Sequence, residues 1–151
     1  METGLENLKE MFQLEDRDIR TYSPLTLAYI GDAIYEIYIR TMIVTRANAP
    51  VHLLHEKSSA LVRAGKQSEI VGILEPLFTE KERQVYHRGR NAKAYTKAKN
   101  AGILEYRRAT GLEAVMGYLY LKGDLDRIRE LLAAGLGVEA EMLRLPFEQK
   151  E

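Results

Sequence analysis

Apolar residues cover most of the circumference of the segment 24–44, and this pattern predicts a long, buried first helix. The apolar positions are 25, 27, 28, 29, 30, 33, 34, 37, 39, 42 and 43. Ser23 is a suitable N-cap, and Pro24 suits the first helical position because its missing N–H has no helical partner there. A helix that is apolar nearly all round lies in a core, or in a core plus a subunit interface.

The rest of the chain is also predicted to be helical, since proline is scarce and no alternating β-branched run lies between turn signals. The later helices are expected at about 51–62, 66–74, 105–122 and 125–134, with a further one that begins near 80 and ends at about His87 or Arg90. Thr79 and Glu82 have the spacing of a capping box, which opens the helix that begins near 80. Gly65 is expected to end the second helix, and Gly135 with Gly137 the last one. The predicted fold class is therefore all-α.

The chain is expected to form one domain, 1–151, because its length is ordinary for a domain and it contains no repeat or low-complexity linker. Only the tail at about 145–151 looks loose.

The absence of cysteine excludes disulfides, Cys-based zinc sites and thiol nucleophiles, and it fits a reducing cytoplasm. The first residues lack the pattern of a signal peptide, and Asp32, Glu36 and Arg40 interrupt the longest apolar stretch. We therefore expect a cytoplasmic protein with no membrane partner.

Positive charge is concentrated between Lys81 and Arg108, although the whole chain has 22 basic and 22 acidic residues. This segment holds nine lysines and arginines, but only Glu82 and Glu105 as acids. Such a local excess is typical of a phosphate-binding surface, and the alternative is a solvated helix face and loop. The candidate RNA-contacting residues are Arg88, Arg90, Asn91, Lys93, Lys97 and Lys99.

Asp32 is the most unusual residue of the first helix. Aspartate has a low helix propensity, and the adjacent Gly31 costs about a further 0.8–1 kcal/mol relative to alanine. Two unfavourable choices side by side in an apolar helix are typical of a functional site. Gly31 would let another backbone or a ligand approach closely, and a carboxylate among apolar neighbours needs a metal, a cation or strong donors. The alternative is a structural Asp32 that pairs with a core arginine or a backbone amide.

Glu113 has a similar setting, among apolar residues and with Gly117 one turn later. A surface glutamate on an amphipathic helix is the alternative interpretation. However, two helices that each combine a carboxylate with a nearby glycine could cross closely and present Asp32 and Glu113 to one hard cation. Oxygen ligands suit Mg²⁺, which keeps several of its waters.

Two segments resemble the motifs of the ribonuclease III catalytic domain. The segment 27–36, LAYIGDAIYE, resembles the signature helix of that family, whose core reads hydrophobic-Gly-Asp-Ala-hydrophobic. The segment 111–121, GLEAVMGYLYL, resembles its late motif, in which a Glu-Ala pair is followed by a glycine and a Tyr-Leu ending. A middle stretch at 61–70 is also similar, so the resemblance extends over about 23–134.

The chain departs from the family pattern at two positions, where carboxylates are absent. Ala28 stands where the signature helix usually carries a glutamate, and Thr110 stands where the late motif usually carries an aspartate. The chain is nevertheless similar to the Mini-ribonuclease III branch, which is active with this reduced set and without a C-terminal double-stranded-RNA-binding domain. The segment RGRNAK at 88–93 supports that similarity.

The resemblance implies a ribonuclease III catalytic domain in an obligate-type helical homodimer, with the signature helices packed across the two-fold axis. It implies a phosphodiester hydrolase that uses Mg²⁺, with Mn²⁺ as a substitute, to cut double-stranded RNA and leave a 5′-phosphate and a 3′-hydroxyl. Asp32 and Glu113 would be the catalytic and metal-binding residues. Beyond the resemblance, we expect the Thr110 hydroxyl to hydrogen-bond a metal-bound water in place of the absent aspartate. The implied substrate is the paired ends of the large-subunit (23S) ribosomal RNA precursor, and a ribosomal protein is a candidate partner.

The two missing carboxylates leave an alternative open. The chain would then be a non-catalytic RNA-binding or ribosome-associated protein on the same fold. A helical interaction module with no RNA role is a third interpretation.

Overall fold

The computed structural model describes residues 5–92 and 102–148, and within these ranges every regular element is helical. The α-helices are α1 (Leu5–Phe12), α2 (Pro24–Arg46), α3 (Val51–Val62), α4 (Ala64–Leu74), α5 (Glu80–Asn91), α6 (Gly102–Lys122) and α7 (Leu125–Glu148). Short 3₁₀ turns lie at Ile19–Thr21 and Glu75–Leu77. The predicted all-α fold class is confirmed. None of the helices described is long and apolar enough to cross a membrane.

Side chains cap two of these helices as the sequence predicts. At the start of α2, the Thr26 N–H donates to Ser23 Oγ over 3.2 Å. At the start of α5, the Thr79 N–H donates to Glu82 Oε1 over 2.9 Å, and the Glu82 N–H donates to Thr79 Oγ1 over 3.2 Å. Both caps satisfy backbone donors that have no partner inside the helix.

Two predicted helix ends are wrong, because in both cases the glycine lies inside a helix. The break between α3 and α4 lies at Arg63, which is extended, so Gly65 is inside α4. Helix α7 continues through Gly135 to Glu148 instead of ending near 134. A Cβ on Gly135 would lie 2.7 Å from Ile70 Cγ2, which shows that glycine is needed there for the contact of α7 with α4. The loose tail stays a prediction, and residues 149–151 lie outside the described ranges.

Helix α6 is the centre of the fold, because α2, α4 and α5 all pack directly against it. Its buried side chains include Leu112, Val115 and Met116, each with 0% of its surface exposed. The crossing of α2 and α6 is the closest of these contacts. A Cβ on Gly31 would lie 1.7 Å from the carbonyl oxygen of Glu113, and a Cβ on Gly117 would lie 2.0 Å from the carbonyl oxygen of Leu27. The two backbones therefore touch, and only glycine allows this distance.

The contact at Gly31 predicts a large loss of stability in Gly31→Ala. The added methyl group would overlap the Glu113 carbonyl, so α2 and α6 would have to separate, and we expect a cost of more than about 4 kcal/mol in the free energy of unfolding. Gly137→Ala is the matched control, since it is also a helical glycine but has no atom within 4 Å of its added Cβ. It should be neutral or stabilising by up to about 1 kcal/mol. Equal changes in the free energy of unfolding of the two variants, measured by urea unfolding, would contradict the close packing of α2 and α6 at Gly31.

Candidate active site

The crossing of α2 and α6 brings Asp32 and Glu113 together, as their setting in the sequence predicts. Asp32 follows the glycine that touches the backbone of Glu113, and the two carboxyl groups hydrogen-bond to each other. The two residues differ in exposure, because Glu113 is half-buried while Asp32 is exposed at the edge of the buried face of α2. The expectation of an Asp32 enclosed by apolar neighbours is therefore wrong. The buried face of α2 carries Leu27 and Tyr35 instead.

The electrostatics of the pair favour a positive charge beside it. Burial and the nearby Asp32, through its charge and its hydrogen bond, raise the pKa of Glu113 to about 8, and a hydrogen bond from Gln67 opposes part of that shift. No salt bridge to either carboxylate is found among the described residues. A half-buried carboxyl group beside a second carboxylate would be stabilised in its charged form by a bound cation.

The donor set fits a hard divalent cation. Both groups offer oxygen ligands, and Mg²⁺ is usually held by one or two carboxylates together with waters and substrate phosphates. The described residues contain no group of three or more histidine, aspartate and glutamate side chains that could enclose a metal. A cation bound at Asp32 and Glu113 would therefore keep most of its coordination positions for water and substrate.

Gln67 is a site residue that the sequence interpretation missed. Its side chain lies in α4, has only 2% of its surface exposed, and donates from Nε2 to Val62 O over 2.8 Å and to Glu113 Oε2 over 3.4 Å. The sequence pattern does indicate its position, because Gln67 is a polar residue at helical spacing from Ile70 and Leu74 and therefore lies on the buried face of α4.

Thr110 lies one turn before Glu113 on α6 and has 7% of its surface exposed. Its hydroxyl donates to Tyr106 O over 3.0 Å, so it can offer only its lone pairs to another group. The proposed contact of Thr110 with a metal-bound water stays a prediction.

The basic end of α5 lies beside the helix that carries Glu113. A Cβ on Gly89 would lie 2.8 Å from the Cβ of Ala114, the neighbour of Glu113 in the chain. Arg88 is exposed and lines a groove of about 160 Å³, and the Arg90 guanidinium lies 5.8 Å from the ring centre of Tyr86. Arg90 Nε also donates to Asn91 Oδ1 over 3.3 Å. The remaining candidate RNA contacts lie outside the described residues: Lys93, Lys97 and Lys99.

Known proteins are similar to this chain over most of its length. The family profile described as Ribonuclease III domain matches residues 25–124, which include Asp32 and Glu113. A Mini-ribonuclease 3 of Thermoanaerobacter sp. is 40% identical over 142 residues, covering 93% of this chain and 100% of that protein. A Mini-ribonuclease 3 of Clostridium tetani is 45% identical over 117 residues, covering 77% of this chain and 78% of that protein. A crystal structure of a Fusobacterium nucleatum protein aligns with a TM-score of 0.71 at 32% identity, covering 77% of this chain and 94% of that one.

The raised pKa of Glu113 predicts a pH-dependent stability of the metal-free protein. Between about pH 4.5 and pH 8 the folded protein keeps a proton on this group that the unfolded chain releases, so stability falls as pH rises through this window. Glu113→Gln, which cannot lose a proton, is the reference. We expect urea unfolding in EDTA to show wild type losing stability relative to Glu113→Gln across the window and no further change above it. A difference that is constant with pH would contradict the assignment.

Proposed function

This chain belongs to the ribonuclease III family, and from this membership we propose that it is a metal-dependent endoribonuclease that cuts double-stranded RNA. Its active site would be formed by Asp32 and Glu113. Enzymes of this family are endoribonucleases that act on double-stranded RNA, and they generally use a divalent metal. The observation that carries the assignment of the site is the hydrogen-bonded carboxyl pair with no salt bridge from a described cation. We propose Mg²⁺ as the physiological ion and Mn²⁺ as its substitute.

The chain's own residues would perform three tasks in this reaction. Asp32 and Glu113 would hold the cation, and Glu113, whose pKa is raised to about 8, would have to be deprotonated to act as a ligand. The exposed position of Asp32 leaves the site open to a phosphodiester. The basic end of α5 attracts and orients the RNA backbone. When bound, the cation would lower the pKa of a water and neutralise charge on the phosphate. Attack of that water on the phosphorus with cleavage of the P–O3′ bond, and protonation of O3′, would leave a 5′-phosphate and a 3′-hydroxyl.

Loss of either carboxylate should abolish metal-dependent cleavage. We expect Asp32→Asn and Glu113→Gln to cut a perfect RNA duplex more than about 100-fold more slowly than wild type, since losing a ligand should exceed the 10–100-fold cost of losing an outer-shell partner. Asn and Gln preserve shape, so circular dichroism should show a folded protein in both cases. Addition of EDTA to wild type should have the same effect as the substitutions.

The rival function is RNA binding without cleavage on the same fold. It predicts that wild type binds the duplex and leaves it intact in Mg²⁺ and in Mn²⁺. Cleavage that survives in Asp32→Asn would contradict the proposed site instead.

We propose that the chain is a homodimer that pairs through α2. Four large apolar residues on one side of this helix are exposed: Leu25 (38%), Tyr29 (82%), Ile37 (56%) and Val44 (51%). The small Ala33 lies between them and is also exposed. A stripe of this kind marks a protein interface more often than a solvated surface. The seam between two copies would run beside Asp32, the neighbour of Ala33.

A charge in this stripe should produce a monomer. We expect Ile37→Glu to have the 17.2 kDa mass of one chain in sedimentation equilibrium, while wild type has twice that mass. Ile73→Glu is the matched control, because Ile73 is a similarly exposed isoleucine (50%) on α4. A dimeric Ile37→Glu, or a wild type that is already monomeric, would contradict the proposal.

The basic segment around the end of α5 should supply much of the affinity for RNA. Duplex RNA is recognised mainly by shape and by backbone contacts, and each phosphate contact contributes about 0.7–0.9 to the slope of log K against log salt. We expect the triple variant Arg88→Gln/Arg90→Gln/Lys97→Gln to bind RNA more weakly and to reduce the magnitude of this negative slope by about two. Arg17→Gln/Lys122→Gln/Arg129→Gln is the matched control, because it removes three exposed charges outside that segment, and it should change the slope less. An unchanged slope in the triple variant would contradict the role of this segment.

We propose the paired ends of the 23S ribosomal RNA precursor as the biological substrate, with a ribosomal protein as a candidate partner. The support comes from the relatives, whose name is Mini-ribonuclease 3, and from the similarity of the chain to that branch. Incubation of the precursor with wild type should give discrete products at the base-paired ends. Uniform degradation, or no cutting there, would contradict this substrate.

A further inference from the structure

Gln67 is the one buried side chain of α4 that contacts the candidate active site, and one of its atoms has no partner. Its Nε2 donates to Val62 O and to Glu113 Oε2, whereas its Oε1 is buried without a hydrogen bond among the described residues. An unpaired buried acceptor is costly, at about 1–3 kcal/mol. Such an atom calls for an explanation, because nearly all buried polar groups in proteins are paired.

The orientation of the Gln67 amide is fixed by its contact with Val62. The 2.8 Å contact joins the amide to a carbonyl oxygen, which can only accept, so the nitrogen must face Val62 O. A flipped amide would place two acceptors against each other there. Oε1 shares its carbon with the nitrogen that contacts Glu113, so the free acceptor lies next to the carboxyl pair.

Residues other than Gln67 also hold α4 against the rest of the fold. Its neighbour Ser68 accepts a hydrogen bond from Arg108 Nη1 over 3.0 Å, and Arg108 Nη2 lies 3.7 Å from Glu75 Oε1. The buried Ile70 and Leu74 supply apolar contacts along the same helix. Since these contacts also hold α4, the hydrogen bond from Gln67 to Glu113 can have a role beyond joining α4 to α6.

We propose that Gln67 is a positioning residue of the metal site. Its Nε2 holds Glu113, and its Oε1 is offered to a water bound to the cation. This inference rests on the proposed function, in which Asp32 and Glu113 bind a divalent metal. Outer-shell groups that orient a ligand and accept from a bound water are a regular part of metal sites. A neutral amide does both, whereas a glutamate at this position would lose its donor to Val62 O.

The test is calorimetric titration of MgCl₂ and MnCl₂ into wild type, Gln67→Met and Ser68→Ala. Methionine keeps the length and approximate shape of glutamine and removes its polar atoms. Ser68→Ala is the matched control, because it removes a buried hydrogen bond of α4 that does not reach the carboxyl pair. Each titration is made well below the melting temperature of the variant. The metal-induced rise in melting temperature is a second readout that follows the same affinity.

We expect Gln67→Met to raise the metal Kd by about tenfold or more and Ser68→Ala to leave it unchanged. An unchanged Kd in Gln67→Met, or an equal loss in both variants, would overturn the role of Gln67 while the proposed function stood. A wild type that binds neither metal would overturn the proposed function and this inference with it. If Gln67→Met does not fold, Gln67→Asn, which withdraws the amide by one methylene, carries the same expectation.

Discussion

The direct contact of the α2 and α6 backbones is the constraint on which the rest of this structure depends. Gly31 and Gly117 face each other's helices at distances where a Cβ would overlap a carbonyl oxygen. Packing at this distance determines where the side chains beside the glycines lie, because a rigid helix carries them at fixed angles. Asp32 and Glu113 therefore meet as a consequence of the helix crossing.

That meeting has an electrostatic cost, and the cost explains the chemistry of the site. Burial and the neighbouring Asp32 charge both disfavour the ionised form of Glu113, so its pKa is raised to about 8. A divalent cation would offset this repulsion. Through glycine packing, the fold thus supplies an arrangement of carboxylates that is unfavourable alone and that a bound metal would stabilise.

Much of this arrangement could be predicted from sequence, because local rules and the glycines agree. The Ser23 cap, the Thr79 and Glu82 capping box and the closeness of Asp32 to Glu113 follow from residue types at fixed spacing. The exposure of Asp32 did not follow, because an apolar pattern cannot distinguish a core from a face left open on the surface of one chain. The continuation of α7 through Gly135 depends on contact with Ile70, which is distant in sequence. Gln67 was missed for the same reason, since its partner Glu113 is 46 positions away.

The reduced set of carboxylates has a consequence for charge balance. Ala28 and Thr110, which occupy positions where family members usually carry carboxylates, each have only 7% of their surface exposed. A carboxylate at either position would add a largely desolvated negative charge near two carboxyl groups, one of which, Glu113, already has a raised pKa. With two carboxylates, a bound divalent cation makes the site formally neutral. A neutral site gains little from further charge, so improvement must come from groups that orient ligands without adding charge, and the amide of Gln67 has this property.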